Sequence, residues 1–321
     1  MLELRKDYLV DEYVIIATER AKRPEQFKEI IELPSKKETC PFCPGNESQL
    51  PVILQEIRYE GKWKARAIPN KFKIVEQTGN PDFHTDNTFF TFASAYGFHE
   101  IIIESPHHDE ELEQQSVAGI TDVLKLARAR FREHMSKQNI RSVVLFKNRG
   151  KKAGASISHG HMQLLAYNHV SPFLREQLEK FYEFFLNTER CPYCDIAAIE
   201  KTSYRRVLDY DHCVAFTPYA SRFPFEVWIS PKRHVTSFAD MNDEECDSLA
   251  AALKYILSRL NTLNTPPYNI EFVSATAQEP YHFHVRITPR LTTWGGFELD
   301  TMTIVNPVSP EDAAKFYRGE A

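Results

Sequence analysis

The chain has 321 residues, enough for two domains of ordinary size, since single cores usually stop growing before about 300 residues. Its 42% apolar and 26% charged residues are the proportions of a globular protein, and no apolar run reaches the about 18 residues that a membrane helix needs. A net charge of −5 argues against a nucleic-acid-binding role, and an N-terminus charged from its third residue, without an apolar signal core, implies a cytoplasmic location.

In sequence order, a basic cluster "RAKR" (20–23) precedes the first of two C-x-x-C pairs, "CPFC" (Cys40, Cys43). The β-branched run in "FHEIIIESPHH" (98–108) predicts a strand, and "EELEQQSVAGITDVLKLARARFREHMSK" (110–137) has the apolar spacing of a long amphipathic helix. Strands are expected at "RSVVLF" (141–146) and "HMQLLAY" (161–167), joined by the glycine- and serine-containing segment between them. A connecting helix follows in "SPFLREQLEKFYEFFLNTER" (171–190), and the boundary between two halves, 1–170 and 171–321, is placed at its start. The second half brings "CPYC" (Cys191, Cys194), a strand "EVWIS", a helix over 242–263, and strands "NIEFVSA" and "HFHVRIT". This order predicts an α+β fold of two like halves, with mainly antiparallel sheets and flanking helices.

Each half carries one series: a C-x-x-C, an apolar run ending in Ser-Pro with a histidine just beyond, and an H-x-H in another apolar run. Two such series in register mark a diverged duplication. In a cytosolic protein, C-x-x-C pairs more often hold a metal or do redox chemistry than form structural disulfides, and recurring histidines favour the metal. Side chains alternate across a strand, so His159, His161 and Gln163 share one face. A lone histidine there is ordinarily a hydrogen-bonded core residue. Here Gly154 and Ser156 lead into the strand and "NRGKK" (148–152) stands close before it, a combination that suits phosphate.

The segment "NRGKKAGASISHGHMQ" (148–163) resembles the active-site segment of the galactose-1-phosphate uridylyltransferases, in the histidine-triad superfamily, with their Asn, Gly-x-Ser and H-x-H-x-Q. "VIIATERAKRP" (14–24), "AIPNKF" (67–72) and "GGFEL" (295–299) are similar to further segments of that family, so the likeness runs nearly end to end. The tail over 295–316 is closer to the branch that includes plant ADP-glucose phosphorylase.

The resemblance implies that His161 is a nucleophile, attacking the α-phosphorus of a nucleotide sugar to give a nucleotidyl-histidine. A neutral imidazole is competent for this near pH 7. It also implies that Gln163 hydrogen-bonds the bound phosphate, that Arg20, Asn148, Gly154 and Ser156 add phosphate contacts, and that Asn70 and Phe72 lie near the base or ribose. Histidine-triad hydrolases have a third histidine where Gln163 stands; an amide cannot carry a proton, which favours transfer over hydrolysis.

A structural zinc held by Cys40, Cys43, His108 and His159 is implied likewise, and the internal repeat extends this to Cys191, Cys194, His234 and His282. The competing assignments are His107 in place of His108, and His282 and His284 as packed strand residues. His284 occupies the repeat's nucleophile position without a preceding Gly-x-Ser or a following glutamine, so a second active site is not expected. A homodimer is implied by the resemblance, with no nucleic-acid or membrane partner.

The expected function is ping-pong nucleotidyl transfer between a nucleotide sugar and a sugar 1-phosphate or inorganic phosphate. Foremost is UDP-glucose–hexose-1-phosphate uridylyl transfer, in galactose metabolism; the alternative is an ADP-sugar or dinucleoside polyphosphate phosphorylase. A histidine-triad hydrolase and a zinc-dependent nucleic-acid-binding module rank below. Thr292 and Ile304 stand where bacterial uridylyltransferases have a lysine and a glutamine on the sugar phosphate, which weakens galactose 1-phosphate as the acceptor.

Overall fold

A computed structural model describes residues 2–22, 36–275 and 280–320. The protein opens with a hairpin, β1 (Leu2–Lys6) and β2 (Tyr13–Ala17). After the segment carrying Cys40 and Cys43 come β3 (Gln55–Tyr59), β4 (Lys62–Pro69), an exposed hairpin of β5 (His84–Asp86) and β6 (Phe90–Phe92), and β7 (Gly97–Ile103). Helix α1 (Val117–Met135), β8 (Ser142–Arg149) and β9 (His161–Tyr167) follow. Helices α2 (Pro172–Thr188) and α3 (Pro192–Glu200) lead to β10 (Arg206–Asp209), β11 (Cys213–Phe216), β12 (Val227–Pro231), α4 (Asp243–Asn261), β13 (Tyr268–Val273) and β14 (His284–Pro289). The tail is α5 (Gly296–Thr301), β15 (Ile304–Asn306) and α6 (Pro310–Arg318).

Ten strands make one sheet in the order β10-β11-β12-β14-β13-β8-β9-β7-β4-β3. Every neighbouring pair in it is antiparallel. Outward from the β8–β13 pairing, the two arms are alike: β9, β7, β4, β3 on one side and β14, β12, β11, β10 on the other. The repeat seen in sequence is thus a repeat of strand order, and the fold is α+β.

Alternation decides which residues reach the site. Ile102, Met162, Leu164, Val227, Ile229, Val285 and Ile287 point to one face and join the main core under α1 and α4. Helix α1 is capped by Ser116, whose hydroxyl accepts the Gly119 N–H, and buries Ile120, Val123, Leu124, Ala127 and Phe131 at helical spacing. Helix α4 has a reciprocal cap between Asn242 and Glu245. The helix expected from residue 110 begins at Val117, because Ser116 caps there and residues 112–114 form a separate 3-10 turn.

The opposite face is free of these two helices. It holds a small apolar cluster of Cys40, Phe42, Cys43, Trp63, Ile68, Ile101 and Ile103 in the first arm. The second arm has a cluster that includes Tyr193, Phe216, Trp228 and Tyr281. The opening hairpin pairs with β15 in a separate sheet, where Val14, Ile16 and Ile304 pack with Ala220. Arg5 reaches Glu311 at 3.1 Å and Arg222 reaches Glu12 at 3.3 Å, so these first strands lie against the second half of the protein. Among the described residues, no helix is long and apolar enough to cross a membrane.

Candidate active site and metal centres

Strand β9 opens on His161, which lies opposite Ile103, while Gln163 lies opposite Ile101; both side chains therefore sit on the face away from α1 and α4. His161 Nδ1 is 2.8 Å from the carbonyl oxygen of His159. A carbonyl only accepts, so Nδ1 carries the proton and the lone pair belongs to Nε2. The ring is 6% exposed with Phe42 edge-on to it, centroids 5.4 Å apart. Burial pushes its pKa down to about 4, which keeps the imidazole neutral near pH 7.

His159 is fully buried, and its Nε2 donates to the Ser105 carbonyl at 2.8 Å. That contact turns Nδ1 toward the cysteines, 3.6 Å from Cys40 Sγ and 3.5 Å from Cys43 Sγ. His108 Nδ1 is 3.2 Å from Cys43 Sγ. Two sulfurs and two imidazoles around a tetrahedral zinc would stand about 3.6 Å apart, sulfur to nitrogen, given usual bond lengths. The four ligand atoms lie within 4.8 Å of one another, and all four residues are buried. The donor set fits zinc with no open position. His108, not the exposed His107, belongs to the cluster.

The second half repeats the arrangement. Cys191 caps α3, accepting the Cys194 N–H at 3.4 Å. His282 Nδ1 is 3.2 Å from Cys194 Sγ and 3.9 Å from Cys191 Sγ, and His234 Nδ1 is 3.4 Å from Cys194 Sγ. His282 Nε2 lies 3.0 Å from the Pro231 carbonyl, as His159 Nε2 lies against Ser105. Both histidines are thus oriented by a carbonyl behind them. This second group is more open: His234 is exposed and both cysteines are partly so. A chelator is therefore expected to remove metal in two phases, the second-half ion leaving about tenfold faster, because the buried first group must open locally before it is reached. Metal-release kinetics check this; Cys191→Ser should delete the fast phase alone, and a fast phase that survives it refutes the order.

His284, the counterpart of His161, is closed off. Its Nδ1 is 3.2 Å from the His282 carbonyl, and its Nε2 accepts from Arg286 Nε at 3.1 Å. Trp228 and Tyr193 stack on the ring at 4.8 and 5.2 Å. The arginine that replaces glutamine in the repeat thus occupies the nitrogen that a nucleophile would need.

Around His161, Gln163 Oε1 is 3.0 Å from His99 Nε2, and Asn70 Nδ2 is 3.1 Å from the same nitrogen, which brings Asn70 and Gln163 together. Asn70 Oδ1 accepts the Phe72 N–H at 2.8 Å, and the Phe72 ring is 81% exposed. Gly154 has φ +90°, a left-handed conformation that favours glycine, and a Cβ there would stand 3.5 Å from Asn148 Nδ2. Ser156 is exposed beyond it. Gly160 is hemmed in: a Cβ would lie 2.9 Å from Glu104 Oε2 and 3.1 Å from the Glu110 carbonyl. Beneath it Lys147, buried, holds Glu104 at 2.8 Å and Glu111 at 2.9 Å.

One sequence expectation changes. Arg149 is not a free phosphate donor, since Nη1 donates to the Thr265 and Pro266 carbonyls and Nε faces Glu111 at 3.6 Å. Arg20 lies on the 3-10 turn Thr18–Lys22 after β2, and Arg23 and Pro24 of its segment lie outside the described residues. Sequence reasoning missed His99, Phe42 and the Glu104–Lys147–Glu111 group. A single histidine or glutamate in an apolar run carries no signal of its own; only the tertiary fold brings these beside the H-x-H segment.

The descriptions matched by this protein are those of the galactose-1-phosphate uridyl transferase N-terminal domain, over residues 2–171, and C-terminal domain, over residues 155–293. An ADP-glucose phosphorylase of Arabidopsis thaliana is 34% identical, the match covering 98% of this chain and 92% of that protein. A galactose-1-phosphate uridylyltransferase of Thermotoga maritima is 30% identical over 99% of this chain and 98% of its own length. The crystal structure of an A. thaliana ADP-glucose phosphorylase with bound ADP-glucose superposes with a TM-score of 0.85 at 32% identity, covering 99% of both proteins.

Proposed function

Since the chain belongs to the galactose-1-phosphate uridyl transferase family and is a nucleotidyltransferase, we propose that it transfers a nucleotidyl group from a nucleoside diphosphate hexose by way of a covalent bond to His161 Nε2. One observation carries the proposal: the His159 carbonyl holds His161 Nδ1–H, leaving Nε2 unprotonated on the face of the sheet away from α1 and α4. In the first step Nε2 bonds to the α-phosphorus, the bond from that phosphorus to the bridging oxygen breaks, and hexose 1-phosphate leaves. In the second an oxygen of the acceptor phosphate attacks phosphorus and the nitrogen–phosphorus bond breaks. Dividing one displacement in two lowers each barrier. Gln163 and Asn148 supply amide donors to the phosphoryl oxygens, and Gly154 lets the backbone approach them. Asn70 and Phe72 form the nucleoside end. The Cys40, Cys43, His108 and His159 group would hold zinc, whose part is to lock the His159 ring two residues before the nucleophile.

For the finer substrate, an ADP-hexose donor with inorganic phosphate as acceptor is the reading we favour over UDP-glucose with hexose 1-phosphate. Ile304 supports the acceptor, since its side chain is 1% exposed within β15, paired with Val14 in register, and has no polar group to offer an acceptor sugar; the likeness to ADP-glucose phosphorylase supports the nucleotide. Incubation with ADP-glucose and UDP-glucose labelled in the α-phosphate is expected to leave label on the protein from ADP-glucose that survives alkali and is lost in acid. Label from UDP-glucose alone would reverse the choice of nucleotide, and label from neither would refute the covalent mechanism.

A further inference from the structure

Asn269 lies on β13, in the second arm, opposite Asn148 on β8 across the pairing that joins the two arms. Its Nδ2 is 2.8 Å from Asn148 Oδ1 and 2.8 Å from the Ala153 carbonyl oxygen, and its Oδ1 is 3.4 Å from Arg290 Nη1. The two ends of an amide look alike, but these neighbours decide between them. A carbonyl only accepts and a guanidinium only donates, so Asn269 must turn its amino group to Ala153 and its oxygen to Arg290. Both N–H groups are then committed, one to Ala153 and one to Asn148, and Asn148 must answer with its oxygen. The Asn148 amino group is left facing Gly154, 3.5 Å from where a Cβ would stand.

We infer that Asn269 is a positioning residue: from the second half of the protein it fixes the Asn148 carboxamide with N–H outward, so that a phosphoryl group at His161 meets a donor and never the amide oxygen. This rests on the function proposed above. The reverse orientation of Asn148 would set a carbonyl oxygen against an anion, and a donor fixed in advance stabilises developing charge without reorganising. The same contact ties down the Ala153 carbonyl, at the end of the turn Lys151–Ala153 that precedes Gly154.

The test is a double-mutant cycle on the rate of nucleotidyl-enzyme formation in a single turnover, using whichever of ADP-glucose and UDP-glucose labels the wild type. Asn148→Ala and Asn269→Ala are each expected to slow labelling about 10- to 100-fold, with the thermal transition retained. The double variant is expected to be within about threefold of Asn148→Ala, because a residue that acts through Asn148 has nothing left to orient. A residue that only supports the fold would not give this coupling. Losses that multiply in the double variant, or an Asn269→Ala enzyme within twofold of wild type, overturn the inference. Should Asn269→Ala lose its thermal transition, Asn269→Ser, which keeps one hydroxyl donor, takes its place in the cycle with the same two outcomes. A wild type that takes no label refutes the proposed function and this inference with it; a wild type that labels with multiplied losses refutes the inference alone.

Discussion

His161→Asn is expected to lower kcat by at least about 10⁴-fold and to abolish the acid-labile label, while the melting temperature stays close to that of the wild type. Asparagine can still donate to the His159 carbonyl, so the local backbone keeps its partner, but the side chain has no lone-pair nitrogen to bond to phosphorus. The contrast is His284→Asn. That ring is buried between Trp228 and Tyr193 with Arg286 on its Nε2, so this variant should lose stability and keep the label. Rapid-quench labelling with thermal unfolding reads both. Undiminished labelling of His161→Asn would remove the nucleophile from the mechanism.

The second large effect concerns the first metal group. Cys43→Ser should lose one metal ion per chain and a substantial part of the thermal stability, because Cys43 Sγ faces both His108 and His159, and structural zinc contributes directly to folding free energy. It should also lower kcat by about 10- to 100-fold, since the His159 carbonyl that orients His161 belongs to a residue no longer anchored by the ion. Cys191→Ser should likewise lose one ion yet keep turnover within about threefold, because the group it serves adjoins the closed histidine, His284. Metal analysis, kcat and thermal unfolding on the two variants separate a positioning metal from one that serves stability alone. Equal losses of kcat in both would refute the division of roles.

The long helices over 117–135 and 243–261, and the strands around the two H-x-H segments, were legible in sequence because a capped amphipathic helix and a short apolar run declare themselves locally. Both clusters of two cysteines and two histidines were legible for a different reason. Their spacing recurs, and a tetrahedral ion accepts few residue types. The pairing of His99 with Gln163 and of Asn269 with Asn148 was not, since each joins residues far apart in sequence by strand register alone. The basic segment "NRGKK" misled in part: Arg149 has the charge for a phosphate, but its guanidinium is taken up by carbonyls of the loop before β13.

By itself the sequence determined which atoms could do chemistry: two thiol pairs, the histidines at matched spacing and the amide after the second histidine of the first H-x-H. The sequence also set His161 apart from His284, by the Gly-x-Ser and the glutamine that only the first carries; the tertiary structure decided what surrounds each ring. His161 and His284 share the same carbonyl contact through Nδ1, yet His284 Nε2 meets Arg286 under stacked rings, whereas His161 has Phe42 edge-on to its ring and lies on the face of the sheet away from α1 and α4. A ring nitrogen is reactive only when its lone pair is unshared: the residue two positions on sets part of this, Arg286 in one arm and Gln163 in the other, while the rings stacked on His284 come from another strand and a helix, which no local pattern encodes.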